Sequence, residues 1–205
     1  MASTPELQHT VGKSAGFSGT ALHTGEKVTL RLHPAPVDHG IKFRRKDLQD
    51  EPTIDAKIEN LKMVERATTI GEGSVRVHTV EHVLAALWAM GVDNAIVEMD
   101  ANEPPIGDGS AQAYVDLVKK AGVTAQEEPR KFFDVRETMH VEKFSRLLFY
   151  CRTVNFAFHA HRPDQTINSR SFCHWNLRRR FSSARSLLHA HLFTTRMLSR
   201  SWIRI

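Results

Sequence analysis

His78-Thr79-Val80-Glu81-His82-Val83-Leu84-Ala85-Ala86-Leu87-Trp88-Ala89-Met90-Gly91 is the stretch on which the fold class turns. Val80, Val83, Leu84, Leu87 and Trp88 follow the i, i+3, i+4, i+7, i+8 spacing of an amphipathic helix. Thr79 stands where an N-cap hydroxyl accepts from the first unpaired N–H groups, and Gly91 takes the C′ position. A second helix is expected to open at Asp108-Gly109-Ser110, with Asp108 as its side-chain cap. Ala111, Tyr114, Val115 and Val118 form its apolar stripe and Gly122 closes it. Around these helices lie segments of period two. Val28 to Leu32 alternates until His33-Pro34-Ala35-Pro36 stops it. Gly40 to Arg44 follows an Asp38-His39-Gly40 turn, and Ile54 to Leu61 and Asn94 to Met99 read as further strands. Strands with two amphipathic helices predict an α+β fold: one layered domain, a mostly antiparallel sheet with both helices on one face.

The chain has 205 residues, 41% of them apolar, enough for one domain with a buried core or two small ones. It lacks the run of roughly eighteen apolar residues that a transmembrane helix needs. Met1 to Thr10 shows neither a basic n-region nor an apolar h-region, so no signal peptide is expected and the protein reads as cytoplasmic. Cys151 and Cys173 make neither a disulfide framework nor a C-x-x-C metal knuckle.

The net charge of +5 is unevenly distributed. Residues 1–143 hold 17 Lys plus Arg against 22 Asp plus Glu, a net of −5. Residues 144–205 hold eleven Arg, no Lys and a single acid, Asp164, a net of +10. All eleven glycines precede residue 144 and both cysteines follow it. The expected organisation is therefore an α+β domain over 6–143 and an atypical Arg-rich tail over 144–205. The tail shows no sustained period. Its abrupt change in composition favours an out-of-frame product over a disordered basic tail. It carries no nucleic-acid recognition motif, and no nucleic-acid partner is expected.

The chemistry-bearing residues sit at the start of the first helix. Taken literally, His78-Thr79-Val80-Glu81-His82 is the H-x-x-E-H pattern of the inverzincin peptidases, in which two histidines one helical turn apart share a face. Zinc takes neutral imidazole and carboxylate ligands with one position open for water, and a neighbouring glutamate can take that water's proton. The competing reading leaves His78 as a surface or capping residue, with only His82 pointing inward. His9, His33, His39 and His140 have no partner at ligand spacing and read as surface residues.

The flanking segments carry a broader resemblance. Gly19-Thr20-Ala21-Leu22-His23-Thr24-Gly25 resembles the G-x-G-L-H-[ST]-G segment of the UDP-3-O-acyl-N-acetylglucosamine deacetylases. Val28 through Leu48 continues the match. Ala67-Thr68-Thr69-Ile70-Gly71 is similar to the family's T-T-L loop, and Thr79-Val80-Glu81-His82 to its T-V-E-H. Asp93-Asn94 matches its D-N, and Glu103-Pro104-Pro105-Ile106-Gly107-Asp108-Gly109-Ser110-Ala111 its E-x-P-I-x-D-G-S-A. These motifs fall in the family's order and cover residues 6–143.

The resemblance implies a zinc-dependent hydrolase that removes the N-acetyl group of a UDP-linked acyl-glucosamine in lipid A synthesis. Glu81 matches the general base and His82 a Zn2+ ligand. Ile70 and Gly71 match the loop lining the metal pocket. His23 matches a histidine near the substrate, with a structural role at a turn as its alternative. The family does not rely on a histidine at position 78. It folds as two similar α+β domains with the active site between them, and the second supplies the other zinc ligands from an H-K-x-x-D helix and the acyl-chain passage. No H-x-x-x-D spacing occurs after residue 143. The chain is therefore expected to be the first of the two domains, with a frameshift or mis-called gene end near residue 143. Its alternative is a catalytically inactive fragment, lacking the domain that would complete the site.

Overall fold

The computed structural model describes residues 6–131 and, as backbone, four short strands beyond them. The chain divides into two units, a first running through Arg130 and a second within Lys131–Arg180. The break precedes the compositional change at residue 144.

In the first unit the order is β1 (Leu7–Val11), β2 (Ala15–Thr20), β3 (Lys27–Pro34), β4 (Ile41–Arg45), β5 (Thr53–Asp55), a 3-10 turn (Ile58–Asn60), β6 (Leu61–Met63), β7 (Thr69–Glu72), β8 (Val75–Val77), α1 (Glu81–Ala89), β9 (Ala95–Met99), α2 (Gln112–Ala121) and β10 (Val123–Pro129). The main sheet has the order β2-β3-β9-β4-β5. All its pairings are antiparallel except that of β4 with β9. Beside it stand a three-stranded sheet, β6-β7-β8, and the pair β1-β10.

Alternation explains the core. Val28, Leu30 and Leu32 of β3 are buried, as are Ala95, Val97 and Met99 of the neighbouring β9. They join one apolar cluster with Val83 and Leu87 of α1 and Tyr114, Val115 and Val118 of α2. Helix α2 packs against β2 and β3, and α1 packs against α2. The α+β layering read from the sequence is thus present. On the opposite side of β9, Glu98 gathers basic side chains: Arg44 Nη1 lies 3.5 Å away and Lys46 Nζ 3.7 Å, with His33 Nε2 at 3.6 Å. Gly122, at φ 75 and ψ 164, ends α2 in a region open essentially only to glycine.

Several expectations need correction. The run Ile54 to Leu61 is not one strand. Only β5 joins β4, whereas β6 pairs with β7 in the other sheet. Between them the Asn60 side chain donates to the Asp55 carbonyl at 2.9 Å, a local bond that competes with ladder pairing. Trp88 does not join the core and is 53% exposed. The small side chains of Ala86 and Ala89 occupy the buried face of α1 instead.

The second unit holds β11 (Met139–Lys143) paired antiparallel with β12 (Arg146–Tyr150), and β13 (Phe156–Phe158) paired with β14 (Cys173–Trp175). Three strands therefore occur where the sequence showed no sustained period. Their Leu, Phe, Tyr and Trp content suits strands even without alternation. The rest of the predicted tail lies outside the described residues.

Phe43, fully buried on β4 beside the central strand β9, tests the core. Phe43→Ala is expected to lower unfolding stability by about 3–5 kcal/mol in chemical denaturation, through lost burial and the cavity left behind.

Candidate functional site

Segments distant in sequence converge where the chain enters α1. The His78 amide donates to the Asn102 carbonyl at 2.8 Å, that of Val80 to Thr68 at 3.3 Å, and that of Ile106 to Thr20 at 2.9 Å. Ala21 and Pro105 form an isolated bridge. At this junction lies Glu103, with no exposed surface. Its Oε1 accepts from Thr79 Oγ1 at 2.7 Å and faces His23 Nδ1 at 2.7 Å. Its Oε2 accepts the backbone N–H of His23 at 2.9 Å and of Thr24 at 3.2 Å. Burial alone would push this carboxyl up. The hydrogen bonds from Thr79, from the His23 side chain and from the two backbone amides outweigh it and hold Glu103 below its ordinary value.

Thr79 was expected to be the N-cap, and it is not. Its φ is 53°, a left-handed conformation rare for a β-branched residue, and its hydroxyl is committed to Glu103. Val80 is the cap residue and makes no side-chain cap bond. The turn at Thr79 also settles the H-x-x-E-H question. The helix begins at Glu81, so His78 precedes it and does not share a helical face with His82. His78 Nδ1 instead lies 2.9 Å from Thr69 Oγ1. Burial lowers its pKa against the pull of Glu103.

Glu81 and His82 are adjacent on the first turn of α1 and both are buried, 6% and 5% exposed. The Thr68 backbone N–H donates to Glu81 Oε2 at 3.0 Å and fixes the carboxylate. Burial pushes Glu81 above its ordinary value, and hydrogen bonds from its own backbone and from Thr68 oppose this only in part. A carboxylate so placed is a stronger base than an exposed one. Behind it, the Tyr114 hydroxyl donates to the Pro105 carbonyl, and burial raises its pKa far above the usual phenol.

The remaining predicted residues fall as follows. His23 lies in the turn after β2, its side chain 43% exposed and anchored on Glu103. Ile70 and Gly71 lie on β7. The Ile70 side chain is buried in the core. A Cβ on Gly71 would meet the Val75 carbonyl oxygen at 2.6 Å and Arg76 Cδ at 2.5 Å, so close strand approach demands glycine there. Asp108 does not cap α2 directly. It accepts from the Ser110 amide and hydroxyl, and Ser110 Oγ accepts from the Gln112 amide at 3.0 Å. His9, His33 and His39 are half-buried at the surface. His33 Nδ1 sits 2.8 Å from Ser14 Oγ, and the His9 amide donates to Asp93. The His140 side chain lies outside the described residues. Sequence reading missed Glu103. It stands inside a quoted motif, but its bonds to His23, 80 positions away, leave no periodic trace.

A catalytic zinc takes three protein ligands. Among the described residues no group of three His, Cys, Asp or Glu side chains is placed to hold a metal ion. These residues do not make a zinc site by themselves. No described helix is long and apolar enough to cross a membrane.

The family model for UDP-3-O-acyl N-acetylglycosamine deacetylase matches residues 8–197. The chain belongs to this family. The UDP-3-O-acyl-N-acetylglucosamine deacetylase of Teredinibacter turnerae is 45% identical over 135 residues, 66% of this chain and 45% of that protein. That of Myxococcus xanthus is 46% identical over 134 residues, 65% of this chain and 43% of that protein. The bifunctional enzyme LpxC/FabZ of Porphyromonas gingivalis is 42% identical over 136 residues, 66% of this chain and 29% of that protein. The matched part thus spans less than half of each of these relatives.

Because burial raises the Glu81 pKa, the folded chain binds this proton more tightly than the unfolded chain does. Stability from this group is therefore greatest below the ordinary glutamate value and falls as pH rises through the folded value. Glu81→Gln is expected to melt at a higher temperature than the wild type at neutral pH. The difference should vanish below about pH 4, where both side chains are neutral. Thermal unfolding across that range measures it.

Proposed function

We propose that the chain carries the first half of a zinc-dependent hydrolase that removes the N-acetyl group from UDP-3-O-acyl-N-acetylglucosamine in lipid A biosynthesis. The observation that carries this reading is the Glu81–His82 pair: adjacent, buried, on the first turn of α1, with the Glu81 carboxylate fixed by Thr68 and raised by burial. In this reading Glu81 is the base that takes the proton of the attacking water. His82 contributes one ligand to Zn2+, and the other ligands come from outside the described residues. His23 belongs to the substrate side of the site, and Ile70 and Gly71 line it through the β7 backbone. A UDP-linked substrate is too highly charged to cross a membrane unaided, so the enzyme acts in the compartment that makes the substrate, read here as the cytoplasm.

A second reading, a catalytically inactive fragment, is favoured by the absence of an H-x-x-x-D spacing after residue 143 and by the loss of Gly, Lys and acids there. A frameshift near residue 143 accounts for that break in composition.

The purified 205-residue chain is expected to release no acetate above background from UDP-3-O-acyl-N-acetylglucosamine, with or without added zinc. Zinc-dependent turnover near the ordinary enzymatic range of about 1–1,000 per second would show that the chain closes its own site. Sequencing the gene across codons 138–150 separates the two readings. Another frame encoding H-K-x-x-D supports a complete deacetylase with Glu81 and His82 in these roles. An intact frame without it supports the inactive fragment.

A further inference from the structure

We propose that Glu103 is a positioning residue for His23: it fixes the ring as the Nδ1–H tautomer and leaves Nε2 as a hydrogen-bond acceptor for a donor group, such as a sugar hydroxyl, on the bound molecule. The proposal rests on the reading of this junction as the substrate side of the deacetylase site.

The Glu103 carboxylate is fully buried and meets four groups. Two are backbone N–H groups, whose protons cannot move. The third is the Thr79 hydroxyl at 2.7 Å, which donates because an ionised carboxylate only accepts. The fourth is His23 Nδ1, at 2.7 Å from the same Oε1. A contact so short between an imidazole nitrogen and a carboxylate oxygen is a hydrogen bond only if Nδ1 carries the proton. In the neutral ring Nε2 then has the lone pair. The same logic orients metal-bound and catalytic histidines, where a carboxylate on one ring nitrogen decides what the other can do. The ring is held by Glu103 at one nitrogen and its side chain is 43% exposed, so part of it remains open to solvent. An Nε2 acceptor suits a hydroxyl or amide N–H and is mismatched to a phosphate oxygen.

The test is long-range 15N–1H NMR of the histidine rings in the full 205-residue chain, at a pH where His23 is neutral. The His23 signals are assigned by their loss in His23→Gln. In the wild type, Nδ1 is expected in the protonated range and Nε2 in the unprotonated range. In Glu103→Gln the amide has one accepting end. The fixed backbone N–H pair takes that end, so the NH2 group faces His23 and the ring shifts to Nε2–H, which exchanges the two 15N positions. A wild-type ring already in the Nε2–H form would overturn the proposal, as would a Glu103→Gln ring that keeps Nδ1–H. Should Glu103→Gln not fold, Thr79→Val removes the neighbouring hydroxyl and keeps the carboxylate. His23 is then expected to stay Nδ1–H, and a change to Nε2–H would assign the control to Thr79 instead. None of these readouts requires turnover. A failed tautomer test leaves the deacetylase reading standing, and an inactive chain leaves the tautomer assignment standing.

Discussion

A carboxylate with no exposed surface is tolerated in a protein interior only when its lone pairs are met, because desolvating an unpaired charge costs several kcal/mol. Glu103 meets this condition with donors from the turn after β2 and from the entry to α1, segments some 80 and 24 positions from it in sequence. The surrounding geometry follows from that requirement. Thr79 adopts a conformation that a β-branched residue rarely takes, and the hydroxyl that would otherwise cap the helix goes to Glu103. The helix consequently starts later, at Glu81, and the buried Glu81–His82 pair falls on its first turn. Strain at one residue, a missing cap and the position of the candidate base are consequences of one buried charge.

What could be read in advance was what rests on local period and local backbone demand. The α1 and α2 stripes, the strands around Leu30, Phe43 and Val97, and the helix-ending Gly91 and Gly122 repeat at distances a single segment displays. Glu81 and His82 were legible as a chemical pair because they are neighbours in the chain. The left-handed turn at Thr79 and the role of Glu103 were not, since each is set by a partner beyond the range of any periodic pattern. Trp88 fits the helical stripe on paper and lies outside the core because Ala86 and Ala89 pack in its place. In the Arg-rich segment, strands β12 to β14 form without the alternation that would have signalled them.

Family membership and site completeness are separate matters here. Identity near 45% extends over about two thirds of the chain, while the described residues bring together one buried glutamate and one buried histidine rather than a closed set of metal ligands. Buried, charge-bearing groups gathered at one end of a domain are expensive to maintain for stability alone. Glu81 in particular carries its charge against the pull of burial.

The parallel pairing of β4 with β9 has a kinetic side. Strand β9 lies between β3 and β4, yet it comes about fifty residues after β4 in the chain. The β2–β3 and β4–β5 hairpins close locally, but the β3 and β4 edges that face each other in the finished sheet stay bare until β9 arrives to join them. On the ribosome those two edges emerge well before the strand that covers both. The interval before β9 docks is when this domain is most open to pairing with another nascent chain, and synthesis of the intervening residues, at roughly 5–20 per second, sets the least time that interval lasts.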